Sequence, residues 1–230
     1  MSAFEGFPAD CFAFFSDLAR HNDRAWFNAN KARYRASVVE PMGAFITAMA
    51  PPLARISPHF VADPRPHGGS MFRIQRDMRF SRDGRPYKTH VACHFRHQTG
   101  KSAHAPGFYV ELTPERVRYG GGIWLAPGPE LALIRQAIVD DVDGWRAVIE
   151  DAALIDGFGG VEGEGLKRAP RGFDPRHPHI EDIKRRSFFL MCDADTDVAV
   201  RGDFVARVEH AFRAATPLMR FLSSALDVPF

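Results

Sequence analysis

Residues 71–96, MFRIQRDMRFSRDGRPYKTHVACHFR, read as a β-hairpin. On the first strand Phe72, Ile74, Met78 and Phe80 fall on one side, and Arg73, Gln75, Asp77 and Arg79 on the other. On the second, Tyr87, Thr89, Val91, Cys93 and Phe95 alternate with Lys88, His90, Ala92, His94 and Arg96. Alternation at period two is the sequence sign of strands with one buried face. It predicts a core containing Phe72, Ile74, Thr89, Val91 and Cys93. The opposite face is crowded with guanidinium, ammonium and imidazole groups, which suits a site that meets anions.

Two registers fit the hairpin. With Phe80 opposite Tyr87, Arg79 faces Lys88, Asp77 faces His90 and Arg73 faces His94. Two cations directly opposite destabilise a sheet unless an anion lies between them. An Asp opposite a His would hold the imidazole for proton transfer. A slip of two residues instead opposes Asp77 to Lys88, an ordinary cross-strand ion pair. Arg76 breaks the alternation between Ile74 and Met78. A lone buried guanidinium is costly, so Arg76 holds a carboxylate, turns outward at a bulge, or serves as a ligand-binding Arg in a barrel-like cavity.

Outward from the hairpin, GFYVEL (107–112) and RVRYGGGIWL (116–125) supply two further strands joined by a turn, as in an antiparallel meander. Residues 1–50 look helical. Phe12, Phe15, Leu18 and Ala19 share a face, Asn22 is a candidate N-cap for a second helix, Pro41 interrupts that helix, and Pro51-Pro52 mark a loop. Beyond Trp124, residues 129–139, 144–153, 178–186 and 203–226 read as helices, with Asp143 a candidate cap and 187–191 a buried strand. The glycine-rich run 157–173 reads as containing a short hairpin. These readings give one α+β domain over 1–230: a helical part (1–50), an antiparallel sheet (70–126), and helices with one or two further strands (129–230). The sheet, of five or six strands and open to a barrel-like arrangement, packs against N- and C-terminal helices.

The composition, 45% hydrophobic and 25% charged, is that of an ordinary globular chain. A formal net charge of +2 is too small for a dedicated nucleic-acid binder. Its distribution is uneven, with nine Lys/Arg against two Asp from Arg65 to Lys101, and nine Asp/Glu against two Arg from Glu130 to Glu164. Cys11, Cys93 and Cys192 are few and far apart, which suits a reducing cytoplasm and argues against a disulfide framework. No signal peptide and no membrane span is evident.

Several motifs carry a recognition: FRIQRDMRFSRDGRPYKTH, GFYVEL followed by GGGIW, LKRAPRGFDPRHPHIEDIKRRSF, and the early NDRAWFNANKARY. Together they resemble the family catalogued as domain of unknown function 2461, over nearly the whole chain. Matching positions include Arg73, Arg76, Asp77, Arg79, Tyr87, Lys88, Trp124 and Lys167. The family's usual lysine before Pro86 is Arg85 here, which keeps the charge and loses an amine. The resemblance implies no particular activity.

Other chemistries fit poorly. On a strand His90 and His94 stand about 13 Å apart, too far to share a zinc ion, with His97 and His104 the nearest others. Gly100-Lys101-Ser102 has Phe95 where a phosphate loop needs Gly, and Gly120-Gly121-Gly122 has no GxSxG elbow to serve. Neither metal nor cofactor is implied. The expected function is a cytoplasmic pocket protein for a small phosphate- or carboxylate-bearing ligand. Arg73, Arg76, Arg79, Lys88 and Lys167 would meet charge, Tyr87 and Trp124 would offer aromatic walls, and Asp77 and His90 are the proton-transfer candidates. Alternatives are a nucleic-acid-binding module using the same basic face and an interaction protein without ligand.

Overall fold

A computed structural model describes residues 4–77, 79, 84–100 and 106–230. Met78 and Phe80 of the hairpin, and Lys101, Ser102 and His104 of the following loop, lie outside the described residues.

Helix α1 (Ala9–Arg20) buries Cys11, Phe14, Phe15 and Leu18. This is the i, i+3, i+4, i+7 stripe of an amphipathic helix. It lies one position away from the predicted stripe, leaving Phe12 half-buried and Ala19 exposed. Helix α2 (Arg24–Ala29) is capped by Asp23, whose side chain accepts from the Trp26 amide at 2.9 Å. Asn22, the expected cap, instead holds the backbone of Tyr87. Its side-chain amide donates to Tyr87 O and its Oδ1 accepts from Tyr87 N, each at 3.0 Å. Helix α3 (Lys31–Tyr34) runs through a π turn at Arg35–Val39 into α4 (Glu40–Ile56). The break expected at Pro41 is therefore a change of helical pitch, which relieves the ring's clash with the preceding turn. The expected loop at Pro51-Pro52 is also helix, continued by the burial of Leu53 and Ile56.

Among the described residues the sheet has four strands: β1 (Val91–Arg96), β2 (Gly107–Leu112), β3 (Val117–Ile123) and β4 (Phe188–Ala194). They pair antiparallel in the order β1-β2-β3-β4, and the sheet stays open, so the barrel-like alternative does not hold. Irregular segments extend both edges. Against β1, the Phe72 amide donates to Ala92 O and the His94 amide to Ser70 O. Against β4, Glu162 and Phe189 exchange backbone bonds, so the glycine-rich run pairs with the approach to β4 rather than with itself.

Between β3 and β4 the chain forms α5 (Gly128–Asp140), α6 (Val142–Ile149), α7 (Ala152–Phe158) and α8 (Ile180–Ile183). Asp141, not Asp143, caps α6 by accepting from the Gly144 amide. The predicted final helix is two, α9 (Phe204–Ala214) and α10 (Thr216–Ala225). One sheet face packs on α4, α9 and α10. Phe108 stacks on Phe212 at 4.5 Å, Phe95 meets Phe45 and Phe212, and Tyr119 meets Phe204. A Cβ at Gly121 would come 2.8 Å from the Phe108 ring, so the glycine lets α10's Met219 and Phe108 close over the strand.

Candidate functional site

The hairpin region pairs antiparallel, in neither expected register. Met71 lies opposite Cys93 and Gln75 opposite Tyr87. Between these contacts the second strand uses two more residues than the first, taken up where the chain bends at Thr89 and His90. The pairing puts Phe72 opposite Ala92, and it opposes neither Asp77 nor Arg79 to its expected partner. Ile74, Val91 and Cys93 are buried as predicted, whereas Phe72 and Thr89 are half-buried. Phe72 lies on the other sheet face, parallel to the His94 ring (6.2 Å, 8°).

That face, turned away from α9 and α10, carries His94 from β1, Gly107, Tyr109 and Glu111 from β2, Arg118, Gly120 and Gly122 from β3, and Phe189 and Met191 from β4. With Phe72 and Trp124 most of these line a cleft of about 470 Å3. The glycines are required by the backbone. A Cβ at Gly120 would stand 1.9 Å from Leu190 O, and Gly122 has φ +143 with Phe188 O in the way. Their absent side chains leave a low floor, walled by Phe72 at one side and by Trp124 against Phe189 (5.1 Å) at the other.

The polar groups form a connected edge. Tyr109 Oη donates to Glu111 Oε2 at 2.8 Å, and His90 Nε2 lies 3.8 Å from the same oxygen. Burial, reinforced by the Glu111 charge, pushes the Tyr109 phenol well above its usual range, so it stays a donor. Burial lowers His90, Glu111 opposing and Lys88 and Arg76 assisting. The Lys88 ammonium sits 5.3 Å over the Phe72 ring, a cation–π contact at the rim. Burial, then Arg73, lowers its pKa against the pull of Glu111. Arg118 is held by Asp193 at 2.6 Å, which Arg116 shares at 3.1 Å. His94 is buried, and its pKa is pushed down to about 4 by burial and by Arg96. Its Nδ1 has no hydrogen-bond partner among the described residues.

The predicted site residues thus separate. Trp124 lines the cleft, with Lys88 and His90 beside it. Asp77 is exposed and paired with Arg79 (2.9 and 2.6 Å), which holds its carboxyl down to about 2. Arg73 is exposed, Arg76 is half-buried with its amide on Pro86 O, and Lys167 is exposed in a loop beyond the glycine-rich edge. Tyr87 is buried, stacked on Phe27 at 4.2 Å. The carboxylate beside His90 is Glu111, which was not among the expected residues. Nor were Tyr109, Arg118 and Phe189. The alternation of GFYVEL carries the signal that would have found two of them, since it sets Tyr109 and Glu111 on one face.

A family model described as a conserved hypothetical protein, DUF2461, matches residues 10–221. The chain belongs to that family. The match takes in every strand and all but the last residues of α10, so the cleft is built wholly from DUF2461 sequence. A comparison of this DUF2461 chain with curated proteins finds no match. Among its described residues no helix is long and apolar enough to cross a membrane.

Proposed function

We propose that the cleft binds a small organic anion. One observation carries this reading: an aromatic-walled cleft of about 470 Å3 has a half-buried ammonium, Lys88, at its rim. An ammonium drawn out of water gains from an anionic partner that makes up for its lost hydration. The apolar part of the ligand lies against Phe72, Trp124, Phe189 and Met191, and its charge faces Lys88 with His90 alongside. Tyr109 and Glu111 supply a fixed polar edge. Arg73 and Arg79, both exposed, favour approach of an anion rather than hold it. Proton transfer, where sought, belongs to His90 beside Glu111 rather than beside Asp77.

Melting temperatures in 2-naphthoate and in inorganic phosphate, against chloride at equal ionic strength, test this. A ligand that binds only the folded state raises the midpoint by mass action. The 2-naphthoate response should exceed that of phosphate and weaken in Lys88→Met and Trp124→Ala. Responses equal in wild type and both variants would remove the reading. A single-stranded RNA whose binding is lost in Arg73→Ala and Arg79→Ala, yet indifferent to Trp124→Ala, would replace it with the nucleic-acid alternative.

A further inference from the structure

His94 is the least explained polar residue of the molecule. It is 7% exposed, it lines the cleft, and its Nδ1 is sealed from solvent without a partner among the described residues. Its pKa, pushed down to about 4, makes the ring neutral near pH 7, so one nitrogen carries a proton and the other does not. A buried N–H without an acceptor is rarer than a buried acceptor without a donor. The proton therefore belongs on Nε2. That atom lies above Gly107, 2.2 Å from where a Cβ would stand, so only glycine at 107 leaves it room beside the cleft floor.

We infer that His94 is a neutral hydrogen-bond donor of this cleft, its Nε2–H placed to receive one oxygen of a flat aromatic monocarboxylate lying on the glycine floor. The inference rests on the reading of the cleft as an anion site and names the ligand class and a binding residue. Three features select that class. The walls are aromatic and the floor is low, which suits a planar body. Lys88, Arg118 and Arg116, which shares Asp193 with Arg118, stand against the two carboxylates Glu111 and Asp193, which leaves one positive charge to be met, as by a carboxylate rather than a phosphate dianion. A single neutral N–H serves one acceptor oxygen, whereas a phosphate dianion calls for several donors.

The test uses the intact protein and 2-naphthoate. Side-chain 15N–1H correlation should show His94 as the Nε2–H tautomer, with that proton moving downfield as 2-naphthoate is added. His94→Phe keeps a flat, somewhat larger ring and removes the donor, and it should weaken 2-naphthoate binding about tenfold or more. The same variant should bind the neutral analogue 2-naphthalenemethanol much as the wild type does. Gly107→Ala, which displaces Nε2, should repeat the loss. An Nδ1–H tautomer, or a His94→Phe variant that binds 2-naphthoate like the wild type while Lys88→Met does not, would overturn the inference and leave the anion site standing. Absence of 2-naphthoate binding to the wild type would overturn both. Should His94→Phe fail to fold, the tautomer and its response in the wild type decide alone.

Discussion

The two faces of one sheet contrast. On the face toward α9 and α10 the strands present Phe95, Phe108, Val110, Ile123 and Leu190, all buried, and the rings of Phe45, Phe204 and Phe212 close over them. On the other face the same strands present Gly107, Gly120, Gly122, His94, Glu111 and Arg118, and a cleft lies where a second layer of side chains would be. Strand geometry makes the division, because neighbouring residues point to opposite sides. Stability therefore resides on one face, and the groups able to meet a ligand are collected on the other. A site made this way needs no special loop; it needs a face that no helix claims.

The largest expected effect sets that contrast most sharply. Phe108→Ala should cost about 3–5 kcal/mol, the usual loss for a buried aromatic, and urea denaturation would measure it. A loss under about 1 kcal/mol would show that the helical face is not the stabilising one.

Next comes acid. The ordinary His pKa is 6.5, and in the fold that of His94 is about 4. Between these values the unfolded chain binds a proton that the folded chain refuses, so stability falls as pH drops through that window. The loss from His94 is roughly 3 kcal/mol, and His90, also lowered, adds in the same direction. Denaturation at pH 7 and at pH 4.5 should show a smaller difference for His94→Phe than for the wild type. Equal differences would place His94 in contact with water.

Tyr109→Phe, one residue from Phe108 but on the cleft face, should cost only about 1.5–3 kcal/mol, the worth of one bond to a charged acceptor. A loss matching that of Phe108→Ala would erase the distinction between faces. Smallest of all is Asp77→Asn. That carboxylate and Arg79 form an exposed pair, and exposed pairs contribute little. The melting temperature should not move measurably, and a clear fall would mean that Asp77 supports the fold.

How much was legible follows the range of each interaction. Period-two alternation placed strands at 87–96, 107–112 and 116–125, which the structure trims to 91–96, 107–112 and 117–123. The same alternation, unused for GFYVEL, separates Tyr109 and Glu111 from Phe108 and Val110. Helical stripes and caps were located to within a residue or two, as with Asp23 for Asn22 and Asp141 for Asp143. These rest on local periodicity, which a sequence carries directly. The break expected at Pro51-Pro52 is helix, however, and the single helix expected over 203–226 is two. The hairpin register was not legible, because two extra residues bend out at Thr89 and His90 and no alternation records a bend. That shift moved Phe72 to the cleft face and left Asp77 with Arg79. Asn22 holding the Tyr87 backbone across 65 residues of chain was equally out of reach.

For this protein, sequence alone determined the α+β class, the family, and only part of the set of residues gathered at the cleft. Lys88, His90 and Trp124 were in that part. Tertiary structure alone decided that Glu111, rather than Asp77, stands beside His90, and that His94 lies buried with an unpartnered Nδ1 over Gly107. Both depend on which strands become neighbours and which face the helices leave uncovered. Those are outcomes of packing over the whole chain, and they set burial, and through burial the charge state of each group.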